Sequence, residues 1–198
     1  MLTENSKLRE DARRNLEGKW SNAVLMALVY SLITSATTSI PIVGQLAVIF
    51  LLLPINWGFE VAMLEYKRGH FVDLSFIFSG FQQYQRILTT KFLQSLYVFL
   101  WSLLLVVPGI IKGYSYAMTS FILQDEPNLQ NNAAIEKSMA MMEGNKMKLF
   151  LLDLSFIGWF LLSLLTCGIG LWWLLPYMYV ARAGFYEDLK RSQLQNVE

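Results

Sequence analysis

The chain of 198 residues is 55% hydrophobic and 16% charged, whereas a soluble domain carries about a quarter charged residues, so the composition leans towards a membrane protein. A formal net charge of +1 gives no basis for a nucleic-acid partner or a strongly anionic surface. Cys167 is the only cysteine, which excludes an intramolecular disulfide, and the first nineteen residues are too charged for a signal peptide.

In chain order, Lys7 to Glu17 reads as an amphipathic helix with Leu8, Ala12 and Leu16 on one face and Gly18 as its stop. Trp20 to Phe59 carries no charge and is too long for one span. The Pro41–Gly44 break divides it into predicted helices at about 20–39 and 44–66. A polar loop, Lys67–Asp73, leads to a short interfacial helix at Leu74–Phe78 that ends near Gly80. The third span is predicted at about 87–107. A tight turn at Pro108 and Gly109 follows, because proline lacks a backbone N–H and glycine tolerates unusual dihedrals. The fourth span runs to about Gln124. A helix with Ile135, Met139 and Met142 on one face then stops at Gly144, and is expected to lie on the bilayer surface. The fifth span, about 147–166, turns at Gly168 and Gly170 into a sixth that ends near Tyr186.

The predicted architecture is all-α: a polytopic integral membrane protein, one domain over residues 1–198, with six transmembrane helices as three tandem hairpins and short amphipathic helices on the cytoplasmic side. Gly18, Gly80 and Gly144 close the amphipathic segments at intervals of 62 and 64 residues, which points to pseudo-repeats at about 5–66, 74–124 and 132–189. Of 16 Lys and Arg, fifteen fall on the side of the termini and the two long loops, and only Lys112 lies elsewhere. Positive charge stays inside, so both termini and both loops are expected in the cytoplasm.

Glu60, Asp153 and Arg182 sit within spans, each about 7–10 Å from the cytoplasmic end at 1.5 Å per residue. Matching depth and opposite sign predict that Arg182 pairs with Asp153, Glu60 or both, with Asn56 and Gln94 adding hydrogen bonds. Two readings stand side by side: a polar site for a solute or proton, and an internal pair that fixes helix register. Lys112 is expected to snorkel, and Trp20, Trp57 and Tyr186 to sit at the interface. The sequence lacks the zinc motif His-Glu-x-x-His and the nucleophile elbow Gly-x-Ser-x-Gly, and His70 is its only histidine. No catalytic residue, metal site or cofactor is therefore expected.

Val107–Met118, Asn132–Met139, Leu152–Trp159, Pro176–Tyr177 and Phe185–Leu189 resemble the bacterial domain-of-unknown-function family 975, as does Leu16–Trp20 more weakly. The resemblance implies a multi-pass protein of the bacterial inner membrane and supplies no activity. The expected function is non-enzymatic: a partner or regulator of other envelope components through cytoplasmic loops, with the lipid bilayer as solvent and no nucleic acid. The alternative is a small transporter or channel for a solute, ion or proton.

Overall fold

In a computed structural model, which describes residues 2–38 and 48–195, the chain forms helices and turns, with no strand among the described residues. Helix α1 spans Asn5–Leu16 and α2 Trp20–Thr38. A π-helical turn, Val48–Leu52, leads into α3, Leu53–Lys67. A 3-10 segment, Leu74–Phe81, precedes α4, Tyr84–Leu104. Then come α5 (Val106–Ser115), α6 (Thr119–Asp125) and α7 (Asn132–Met141). The chain closes with α8 (Lys146–Leu154), α9 (Ile157–Leu165) and α10 (Leu171–Gln195).

Three stretches are long and apolar enough to cross a membrane: Trp20–Thr37, Tyr84–Leu104 and Lys146–Leu165. By that measure the described helices supply three spans, against six expected. Part of the reason is that apolar segments are interrupted. Between α5 and α6 the backbone tightens, with Thr119 N–H bonding to Tyr116 O at 3.1 Å and the Thr119 hydroxyl donating to the same oxygen at 2.8 Å. The similar break between α8 and α9, where the Ser155 hydroxyl donates to Leu152 O at 2.6 Å, still leaves Lys146–Leu165 as one span. Short polar side chains compete in this way for helical carbonyls.

Helix α3 is the centre. It buries Ile55, Trp57, Phe59, Val61, Ala62, Met63, Leu64 and Tyr66, so nearly its whole circumference faces protein, as expected for a helix apolar all round. The second half of α10 packs beside it through Val180, Ala181, Ala183 and Phe185. Helix α1 lies across α10 with Leu8, Ala12 and Leu16 buried. Gly184 permits that crossing, because a Cβ there would stand 3.4 Å from Leu8 Cδ2 and 3.3 Å from Lys67 Cε.

The core thus gathers at the loop end of the helices. The hairpin tips are bare, and Leu103, Leu104, Val106 and Leu165 are exposed by 70–82%. Contiguous apolar exposure on this scale marks a surface meant for lipid or a partner.

Several local expectations are corrected. The turn after α4 is made by Leu105 in extended conformation (φ −159°, ψ 143°), not by Pro108-Gly109. Pro108 lies in the first turn of α5, where a missing N–H costs nothing. Gly109 is instead a close-packing residue, since a Cβ would stand 2.8 Å from Ser102 Cα. The connection between α9 and α10 repeats the device seven residues apart: a Cβ on Gly170 would stand 3.0 Å from Ser163 Cα, while Gly168 turns the chain at φ +85°. Pro41 and Gly44 lie outside the described residues. The segment at Leu74 extends to Phe81 and docks on α3, with Ile77 buried. Helix α7 packs on α6 and α4, burying Ile135, Ser138 and Met141, so this face meets protein and not the bilayer surface, while Met139 is half-buried.

Candidate functional site

The polar groups within the helical body fall into two separate ion pairs, on different helices. In the first, Arg182 of α10 donates from Nε and Nη2 to the two carboxylate oxygens of Asp153 on α8, at 2.8 and 2.7 Å. Tyr114 of α5 adds its hydroxyl to Asp153 Oδ2 at 3.0 Å, and the guanidinium lies 5.6 Å from the Tyr179 ring centre. A planar, forked donor matched to a carboxylate fixes the mutual rotation of both helices as well as their contact.

Glu60 does not join this pair. It meets Lys91 of α4, Nζ to Oε2 at 3.3 Å, and Lys91 also donates to the Ser120 hydroxyl at 2.9 Å. Lys91, one of the fifteen cations counted on the cytoplasmic side and placed by sequence beside the first long loop, is only 6% exposed. The signal was available, because Lys91 lies within the first turns of the predicted third span. Asn56 donates to the Tyr30 hydroxyl at 3.0 Å, and Gln94 to Tyr116 O at 3.1 Å. Gln94 leaves its own carbonyl oxygen buried without a hydrogen-bond partner among the described residues.

A second, larger lattice binds the loop end. Asp125, the last residue of α6, accepts from Arg68 Nη2 at 2.7 and 2.8 Å, from Lys190 Nζ at 2.6 Å and from the Tyr186 hydroxyl at 2.9 Å. Arg68 also donates to Glu187 at 2.8 Å. Burial alone would raise the Asp125 carboxyl. The hydrogen bonds from Lys190 and Arg68 outweigh it and hold the group below the ordinary carboxylate range. The same contacts raise Arg68 against the opposing effect of its burial. Nothing in the spacing of these residues announces the lattice, which joins positions up to 122 apart in sequence (Arg68 to Lys190).

The aromatic expectations divide. Trp57 is in the core, donating from Nε1 to Ser120 O at 3.1 Å, and Tyr186 is buried with its hydroxyl on Asp125. Neither stands at a surface. Trp20 is half-buried against the Tyr177 ring, and Lys112 lies 5.0 Å from the Trp101 ring centre.

A crevice of about 370 Å³ opens beside the first pair, lined by Ser102, Gly109, Gly113, Tyr114, Leu149 and Arg182 among others. Elsewhere His70 meets Glu65 at 2.7 Å on the surface. Among the described residues no group of three or more His, Cys, Asp or Glu could hold a metal ion.

No curated protein and no solved structure matches the chain. The family model described as "Protein of unknown function (DUF975)" matches residues 1–112 and again 102–193, which together cover most of the sequence. The two matched segments overlap across α4 and α5, where the Leu105 turn lies. On that match the chain belongs to the DUF975 family.

Proposed function

We propose that this is a six-pass protein of the bacterial inner membrane, with both termini and both long loops cytoplasmic, that acts by binding other membrane or envelope components and not by catalysis. The three long apolar helices and the bare leucines at the hairpin tips support the membrane placement. The non-catalytic reading rests on one observation. The ionised groups of the interior are closed on each other, Arg182 on Asp153 and Lys91 on Glu60, as in a lattice that holds helices in place.

The Arg68–Asp125–Glu187 lattice does the same for the loops and gives them a fixed shape for a protein partner. Lys19 donates to Gly69 O at 2.7 Å and Asn22 to Val72 O at 2.5 Å, so the first loop is held from below. That loop still exposes Phe71.

The crevice beside Arg182 favours a second reading, a small-solute or ion pathway. Purified protein in liposomes, assayed for proton and ion flux beside Arg182→Ala, separates the two. The partner reading expects no flux above protein-free liposomes from either. Flux that the substitution abolishes would overturn it in favour of transport.

A further inference from the structure

A groove of about 380 Å³ runs between α9 and the start of α10, within the range of small-molecule sites. Trp159, Leu162, Trp173 and Leu174 line it, Thr166 and Gly170 lie at its hairpin-tip end, and Arg13 of α1 stands at the other. From Gly170 to Tyr177 the wall is about 10 Å long. Its base is built: Tyr177 meets Trp20 edge-on at 6.4 Å and Phe156 at 5.0 Å between ring centres. Charge is placed at one end only. Arg14 is paired with Glu10, and the nearest acid on the other face, Asp11, is turned to Lys67. Among the described residues Arg13 forms no ion pair, and its neighbour Arg9 donates only to a neutral carbonyl, Ser155 O.

An apolar slot of this form, open along its side and with the guanidinium of Arg13 at one end, matches one kind of molecule. We propose that it holds an anionic diacyl phospholipid, with one acyl chain along Leu162, Trp173 and Leu174 and the phosphate at Arg13. Arginine binds phosphate oxygens through paired N–H donors, and α1 lies outside the apolar spans, at headgroup level. A zwitterionic lipid would bring its own cation close to Arg13, so the site selects net negative charge. The inference rests on the membrane placement above and is independent of the partner and transport readings.

The test uses the full-length protein in detergent, titrated with phosphatidylglycerol or phosphatidylcholine of identical chains and read by native mass spectrometry. Phosphatidylglycerol should be retained about ten-fold more strongly, the order that one charge-assisted hydrogen bond gives. Arg13→Gln should bring the two lipids close to parity, and Arg13→Lys should keep most of the preference. Arg14→Gln, made together with Glu10→Gln so that no acid is freed beside Arg13, should change nothing. Equal retention of both lipids by wild type, or equal loss with that double variant, would overturn the site. So would competition by glycerol phosphate at the lipid's own concentration, which would make it a site for free phosphate. Recovery of the protein from cytosol without detergent would instead overturn the membrane placement, and the lipid site with it.

Discussion

Arg182 and Asp153 are joined by two parallel hydrogen bonds of 2.8 and 2.7 Å, twenty-nine residues apart on helices that are otherwise apolar along this contact. Breaking a largely buried pair from one side leaves an uncompensated charge, which costs about 3–5 kcal/mol, and Arg182 keeps enough exposure to place its loss at the lower end. Arg182→Leu should therefore lower folded yield and the unfolding midpoint in detergent sharply. The double replacement Arg182→Met with Asp153→Leu should recover much of the loss. A single variant as stable as wild type would show that the pair fixes nothing.

Acid should loosen the loop end first. The folded carboxyl of Asp125 lies below the unfolded value of about 4. Its contribution is complete above that unfolded value and is lost as pH falls through the folded one. Unfolding midpoints measured from pH 7 down to pH 3 should drop across the lower part of this range. Asp125→Asn should lower the midpoint at pH 7 and flatten the acid limb. An acid limb unchanged in the variant would assign the effect to other carboxylates.

The two glycines of α5 make a controlled comparison. Gly109→Ala would press a methyl group against Ser102 Cα, and overpacking of this kind costs about 1–3 kcal/mol. Because the clash includes backbone, Ser102→Ala should not relieve it. Gly113 has nothing within 4 Å of the corresponding position, so Gly113→Ala should be neutral or stabilising by the helix propensity of alanine. Thermal unfolding of the three variants in one detergent ranks them. Equal midpoints for Gly109→Ala and Gly113→Ala would contradict the close approach.

Cys167 offers a reading of orientation. It is exposed in the third hairpin turn, opposite the loop end, and no other thiol competes. With cytoplasmic termini, a membrane-impermeant maleimide should label it in intact spheroplasts as fully as in lysed ones. Labelling only after lysis would invert the topology.

Much of the helical layout could be read from apolar run length and from the stop residues. Gly18 and Gly144 do terminate α1 and α7 at φ +74° and +72°. The facing of each helix was less accessible. In a chain whose helices are apolar on several sides, a buried Trp57 and an exposed Trp159 both have apolar residues within a helical turn, and periodicity does not separate them. Depth reasoning brought Arg182 to Asp153 because both lie at similar distances from the loop end. It does not bring Glu60 to Lys91, because Lys91 counts by its position with the cations flanking the first long loop and not with the groups inside the spans. The break at Leu105 escaped notice because an extended leucine carries no turn signature, whereas Pro108 does carry one and sits harmlessly in a first helical turn.

The crossing of Leu8 over Gly184 has a temporal cost. Synthesis at roughly 5–20 residues per second puts about 10–35 seconds between the emergence of these two positions. Throughout that interval the leading helix has no seat, and its leucines are open to chaperones, to the headgroup layer or to a neighbouring nascent chain. Emergence of the segment around Gly184 is then the event that locks this crossing.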